Sequence, residues 1–184
     1  MIIIDGLIAS GKSSILKEIQ SRGYKIELQR ISKWKYLSSF YEKPVLYAPL
    51  LQDEIISSYE DIYQENKGNI TFCESYAGAS MNTFVKMSES RGQLTENHIL
   101  ELKKKYTNFK PSLYIWLNVD IDTCMKRIKI RSRPGEENIK REYLEDLKEK
   151  YEEFMKNCDF PVFRMENNKE GCQKEISDNI LKLI

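Results

Sequence analysis

The most informative stretch of this sequence is a glycine-rich loop near its beginning. Residues 6–13 read Gly-Leu-Ile-Ala-Ser-Gly-Lys-Ser and fit the pattern GxxxxGK[ST] at all four defined positions. The glycines of such a loop let backbone N–H groups turn inward around an anion, and the next helix points its positive end there. The lysine reaches the β- and γ-phosphates of a nucleoside triphosphate, and the hydroxyl binds Mg²⁺. The residues predicted to hold ATP are Gly6, Ala9, Ser10, Gly11, Lys12, Ser13 and Ser14.

Two carboxylates stand where predicted strands end. Glu27 ends the second strand and Glu74 ends the third, so we expect both side chains to project toward the glycine-rich loop. A phosphoryl transferase uses one carboxylate to orient or deprotonate the acceptor hydroxyl and another to hold Mg²⁺. We assign Glu27 as the base, and Glu74 with Ser13 as the metal ligands.

Basic residues cluster between positions 126 and 133. Arg127 and Arg131 are four residues apart and share one helical face, and a Pro-Gly pair at 134–135 breaks the helix. We predict a mobile basic lid at about residues 127–138. Arg127 would bind the triphosphate, and Arg131, Arg133 and Lys12 would stabilise the charge of the transition state. Cations that merely complement a helix C-terminus are the alternative interpretation.

The elements that would position these residues alternate regularly. Apolar runs at 2–4, 24–28, 69–73, 112–117 and 160–164 predict strands, and helices are predicted at 13–22, 47–64, 80–89, 96–106, 121–129, 141–157 and 170–184. Such alternation indicates an α/β fold with three layers, in which helices cover both faces of a five-stranded parallel sheet. Ligands of such folds bind beyond the carboxyl ends of the strands. We therefore expect a P-loop NTPase fold in one domain over residues 1–184.

Composition excludes several classes of protein. The 184 residues carry 29 Lys and Arg against 28 Asp and Glu, a formal charge of +1, which argues against a general nucleic-acid binder. No apolar run approaches the roughly 20 residues of a membrane helix. The four cysteines form no CxxC pair. We expect reduced thiols, a cytoplasmic location, and neither a nucleic-acid nor a membrane partner.

Three stretches resemble the deoxynucleoside kinase family. The first is the glycine-rich loop. The second is Phe-Tyr-Glu-Lys-Pro at 40–44, with a glutamine eight residues later. The third, at 127–137, is similar to the family's R-I-x-x-R-x-R lid. The resemblance covers nearly the whole chain and implies transfer of the ATP γ-phosphate to a deoxynucleoside, in a compact version of the family that could form a homodimer.

This resemblance implies roles for individual side chains. Tyr41 and Glu136 match the pair that holds the sugar 3′-hydroxyl, and Gln52 matches the glutamine that bonds the base edge. Phe84 matches the aromatic that stacks on the base, and Trp34 resembles the tryptophan near the base pocket.

The chain also departs from the family pattern. Ser75 stands where the family has an arginine after the third-strand glutamate, so either Arg30 or a lid arginine substitutes for it or the activity is weak. The segment after Glu27 lacks the family's Glu-Pro-Val. Tyr59 and Ser80 stand where kinases that accept deoxycytidine and purines place an arginine and an aspartate. Their neutrality favours a pyrimidine acceptor, thymidine among them.

Other functions remain open at this stage. Thymidylate kinase shares the fold and accepts a nucleoside monophosphate, but its usual Asp-Arg-Tyr-type signature is absent. A non-catalytic nucleotide-binding subunit would explain Ser75. A GTPase switch is disfavoured because no Asn-Lys-x-Asp motif occurs.

Overall fold

A five-stranded, entirely parallel sheet forms the centre of the molecule. In the computed structural model, which describes all 184 residues, the strands are β1 (Ile2–Gly6), β2 (Ile26–Glu27), β3 (Phe72–Glu74), β4 (Leu113–Asn118) and β5 (Val162–Glu166). Their order is β2-β3-β1-β4-β5. The predicted parallel sheet is confirmed. The consecutive strands β3 and β4 lie on opposite sides of β1. The crevice for a ligand therefore opens at the carboxyl end of β1.

Helices cover both faces of this sheet. They are α1 (Lys12–Ser21), α2 (Leu37–Glu42), α3 (Pro44–Asn66), α4 (Ala77–Ser80), α5 (Lys86–Ser90), α6 (Glu96–Lys105), α7 (Ile121–Arg131), α8 (Arg141–Asn157) and α9 (Gln173–Leu181). A π-helical turn, Met81–Val85, joins α4 to α5, and short 3-10 turns occur at Ile31–Lys33 and Glu136–Asn138. No helix combines the length and the apolar character that crossing a membrane requires.

Side-chain alternation along β1 divides the core into two layers. Ile2 and Ile4 pack with α1 and α9 in a smaller cluster, whereas Ile3 belongs to a larger cluster that includes α3 and α8 residues. Successive side chains of a strand point to opposite faces, which explains this division. The three-layer prediction is confirmed.

Some predicted boundaries were displaced. The second strand is only two residues long, and the fifth begins at Val162 and not at residue 160. The helix predicted at 47–64 begins earlier, at Pro44, which is the first residue of α3. Proline suits this position because the first N–H of a helix has no intrahelical partner.

Candidate functional site

The glycine-rich loop connects β1 to α1 and has a backbone that only small residues tolerate. Gly11 has φ 95° and Ala9 has φ 62°, both in the left-handed region. A Cβ atom on Gly6 would lie 2.5 Å from the Ser10 hydroxyl oxygen and 3.0 Å from a carbonyl oxygen of β4. The loop is thus closely packed at both glycines and leads directly into the N-terminus of α1, an arrangement that suits an anion.

The side chains of Lys12 and Ser13 form hydrogen bonds with different partners. Lys12 Nζ donates to the backbone oxygens of Gly6 and Leu7, at 3.0 Å each. Ser13 Oγ lies 3.0 and 2.9 Å from the two carboxylate oxygens of Glu74. Hydroxyl and carboxylate oxygens side by side are hard ligands of the kind that Mg²⁺ prefers.

An open cavity extends from the loop into the larger core layer, and its empty space of about 790 Å³ includes open solvent. Twelve of the predicted site residues line it: Gly6, Ala9, Lys12, Ser13, Trp34, Tyr41, Gln52, Glu74, Phe84, Arg131, Arg133 and Glu136. Ser10, Gly11, Ser14, Glu27 and Arg127 are outside its lining. Of these, Ser14 is an exposed residue at the start of α1.

The inner end of the cavity carries polar atoms that no protein group satisfies. Gln52 is only 1% exposed, and its Oε1 has no hydrogen-bond partner. Ser80 Oγ and Trp34 Nε1 are likewise buried and unpaired. Buried polar atoms normally have partners, so these three atoms indicate a place for a polar ligand.

Aromatic rings enclose the same region. Phe84 lies in the π-helical turn and contacts Tyr151 edge to face, with ring centroids 6.3 Å apart. Trp34 contacts Tyr59 in a similar geometry at 6.3 Å. The flat apolar walls and the few polar atoms together suit a heteroaromatic ring.

Glu136 forms hydrogen bonds with both lid arginines. Its carboxylate is 2% exposed and accepts bonds from Arg131 Nε at 3.0 Å, from Arg131 Nη2 at 2.7 Å and from Arg133 Nη1 at 3.1 Å. Tyr41 lies beside this group, where burial raises the pKa of its hydroxyl and Glu136 adds to that rise. One carboxylate, two guanidinium groups and one phenol therefore meet at the side of the cavity.

Arg127 does not share the environment of Arg131. Its guanidinium donates from Nη2 to the Asn167 backbone oxygen at 2.9 Å and from Nη1 to the Ser10 backbone oxygen at 3.5 Å. Asn167 also donates its side-chain amide to Ser10 O at 2.6 Å. The sequence did not point to Asn167, because it lies 157 residues from the loop it supports.

The prediction that Glu27 projects toward the loop is wrong. Its carboxylate accepts from Asn66 Nδ2 at 3.3 Å and lies 3.7 Å from Arg30. In the sheet Glu27 is level with Cys73, one residue short of Glu74, so its side chain remains below the cavity.

Arg30 also forms its ion pairs outside the cavity. It pairs with Glu65 as well as with Glu27 and does not line the cavity, so it cannot replace the arginine missing at position 75.

Gln29 occupies the position that sequence reasoning gave to Glu27. It follows β2 by two residues, lines the cavity, and its backbone N lies 3.5 Å from Glu74 Oε2. Its amide Nε2 donates to the Tyr59 hydroxyl at 2.7 Å. The end point of the strand, which residue type alone does not fix, decides which side chain faces the loop.

Comparison with known proteins identifies the family. The family model described as deoxynucleoside kinase matches residues 2–184. This chain belongs to the deoxynucleoside kinase family. The sequence resemblance is thereby confirmed, and the chain is an ATP-dependent kinase.

Relatives and solved structures agree with this assignment. A putative kinase protein of Invertebrate iridescent virus 3 is 28% identical over 100% of this chain and 95% of its own. The deoxyadenosine kinase of Dictyostelium discoideum is 28% identical over 89% of this chain and 71% of its own. The structure of deoxyadenosine kinase from M. mycoides with bound dCTP superposes with a TM-score of 0.84, covers both chains fully and shares 25% identity.

Proposed function

We propose that this kinase transfers the ATP γ-phosphate to the 5′-hydroxyl of a pyrimidine deoxynucleoside, with thymidine favoured. The supporting observation is the continuous cavity that runs from the glycine-rich loop to the unpaired amide oxygen of Gln52. A donor nucleotide would lie at the loop, and the base of the acceptor would lie at the inner end. This arrangement is what two-substrate phosphoryl transfer requires.

The residues at the loop end would hold the donor. Backbone N–H groups of the loop and Lys12 would surround the phosphates, while Ser13 and Glu74 would hold Mg²⁺. The metal would neutralise charge on the β- and γ-phosphate oxygens. Arg131 and Arg133 reach the cavity from the lid and would stabilise charge on the transferring group. Arg127, lying against the outside of the loop, would support the loop and not contact the phosphates directly.

The chemistry of the unpaired atoms favours thymine. Its edge presents two carbonyl acceptors and one N–H donor between them. The indole N–H of Trp34 and the hydroxyl of Ser80 can donate, and Gln52 Oε1 can accept, which matches this pattern. The side chains of Tyr59 and Ser80 are neutral, so these two positions supply no charge to select cytosine or a purine.

The sugar would lie between the two ends, with Tyr41 and Glu136 at its 3′-hydroxyl. Phe84 would stack on the base. A homodimer, which rests on the family resemblance, and a cytoplasmic location, which rests on the expected reduced thiols, complete the proposal. Size-exclusion chromatography with light scattering tests the first of these.

An acceptor panel with ATP and Mg²⁺ tests the proposal. Thymidine, deoxycytidine, deoxyadenosine, deoxyguanosine and thymidine monophosphate are compared by kcat/KM from ADP release. Thymidine is expected to give the highest value. A purine nucleoside with the highest value would overturn the pyrimidine assignment, and the monophosphate with the highest value would make the protein a thymidylate kinase.

The variant Gln52→Leu tests the base site. We expect the nucleoside KM to rise at least tenfold, since the bonds to the base are lost, a change of about 1.4 kcal/mol or more. The melting temperature should not fall, because the amide oxygen it removes is unpaired within the protein. Gln20→Leu, on the exposed side of α1, is the control. Loss of stability with an unchanged KM would mean that Gln52 is only a core residue.

A further inference from the structure

We propose that Gln29 positions the acceptor hydroxyl through its amide oxygen, in place of a general base at the end of β2. The inference rests on the proposed function, and it assigns to this chain a neutral group where sequence reasoning expected a carboxylate. It follows from the hydrogen bond between Gln29 and Tyr59, which leaves the amide oxygen of Gln29 without a protein donor.

The Asp5 carboxylate lies beneath the loop at the centre of several hydrogen bonds. It is fully buried and accepts bonds from Gly6 N at 2.8 Å, Ser75 Oγ at 2.8 Å, Tyr114 Oη at 2.9 Å and Tyr151 Oη at 3.1 Å. Burial raises the pKa of Asp5, while the nearby Lys12 ammonium and the bonds from Ser75, Gly6 and Tyr114 lower it. As an ionised carboxylate, which only accepts, Asp5 would satisfy all four donors at once.

A second buried group holds Gln29. The Tyr59 hydroxyl oxygen accepts from Gln29 Nε2 at 2.7 Å. Tyr59 lies on α3 and is only 5% exposed, so its hydroxyl is a fixed partner for the amide. With Nε2 on Tyr59, the amide oxygen is the end of the side chain that remains for another donor.

No protein group donates a hydrogen bond to the amide oxygen of Gln29. Gln29 lines the cavity at the phosphate end, where its backbone N approaches Glu74. An acceptor hydroxyl that donates to this oxygen would have its own oxygen free to attack the γ-phosphorus.

The bond changes are those of an in-line displacement. The hydroxyl oxygen bonds to the γ-phosphorus, the bond from that phosphorus to the β,γ-bridging oxygen breaks, and ADP leaves with the electron pair. An amide does not take up a proton near neutral pH. The hydroxyl proton therefore passes to a non-bridging oxygen of the transferred phosphoryl group, and the product monoester, with a second pKa of about 6, releases it to water.

The test is steady-state kinetics of five variants with ATP and the best acceptor of the panel. Gln29→Ala and Tyr59→Phe should each lower kcat about tenfold, the effect of one lost hydrogen bond, with nucleoside KM within twofold of the wild type. The double variant should be no slower than either single one, because both changes release the same amide. Tyr63→Phe, one turn further along α3 and stacked on Phe109, should leave kcat unchanged.

The fifth variant is Gln29→Glu, which should at least retain the wild-type kcat. A carboxylate accepts the same bond more strongly and can take the proton. The proposal is overturned if Gln29→Ala retains full kcat, if the two single effects multiply, or if Gln29→Glu is as slow as Gln29→Ala.

The outcomes separate this inference from the proposed function. If neither the wild type nor Gln29→Glu phosphorylates any acceptor, the proposed function fails and the inference with it. If only Gln29→Glu turns over, the acceptor class stands, but the amide does not position the hydroxyl and the inference fails alone.

Discussion

Gly11 is constrained twice, by its backbone angle and by its neighbour. Its φ of 95° is left-handed, and an added Cβ would lie 2.6 Å from Asn167 Nδ2. Gly23, after α1, has φ 87°, but a Cβ added there would meet nothing within 4 Å. The left-handed angle costs an L-residue about 1 kcal/mol at either site, and only Gly11 adds a steric term.

We therefore expect Gly11→Ala to lower the free energy of unfolding by about 3 kcal/mol, and Gly23→Ala by about 1 kcal/mol. Urea denaturation measures both. Gly11→Ala should also weaken ATP binding, because Asn167 must move away from the loop backbone that it bonds. Equal losses of stability in the two variants would show that Asn167 yields freely and does not support the loop.

At the scale of single residues, the sequence is most informative where a local motif specifies position. Lys12 and Ser13 begin α1 directly after the loop, because the loop and its helix are one contiguous unit. Glu27 was misplaced because its orientation depends on where β2 ends. The partners of Arg30 and the unpaired state of Gln52 depend on contacts between distant segments, which spacing along the chain does not encode.

At the scale of elements, the basic lid is organised around Glu136. The turn that follows α7 packs on α2, since a Cβ on Gly135 would lie 2.9 Å from Ser38 Cα. This turn brings Arg131 and Arg133 to one buried carboxylate. Charge-assisted and bidentate bonds of this kind are among the stronger polar contacts in proteins.

Glu136→Gln should reduce the stability of this lid arrangement. We expect a loss of about 1–3 kcal/mol in unfolding free energy and a nucleoside KM about tenfold higher, because the neutral amide holds both the arginines and the sugar less firmly. Calorimetry and initial rates measure the two effects. The exposed neighbouring variant Glu137→Gln is the control. An unchanged KM in Glu136→Gln would assign that carboxylate to the arginines alone.

The order and type of the elements were predictable because apolar periodicity alternates so clearly between strands and helices. Helix α8 was predicted at its observed bounds, since its apolar face repeats regularly over 17 residues. The π-helical turn was not predicted, because it inserts an irregular turn into a continuous helical pattern. Yet Phe84, in that turn, is one of the cavity residues.

At the scale of the whole molecule, the four cysteines differ in how deeply the layers of the fold bury them. None forms a disulfide, and Cys73 and Cys124 are buried whereas Cys158 and Cys172 are half-buried. Burial raises the pKa of Cys73, in the sheet, to about 12, and that of Cys124, on α7, to about 11. The thiolate is the reactive form of cysteine. These two thiols are therefore protected from reagents, because they are buried and because they stay protonated.

The native protein at pH 8 should therefore show two classes of thiol with a chromogenic disulfide reagent. Cys158 and Cys172 should react quickly, while Cys73 and Cys124 should react only as fast as the surrounding structure opens. In denaturant all four should react at similar rates. The variant pair Cys158→Ser and Cys172→Ser assigns the fast class. Rapid labelling of Cys73 would contradict the closed packing of β3 between β1 and β2. Rapid labelling of Cys124 alone would instead indicate that α7, which carries the lid arginines, opens independently of the sheet.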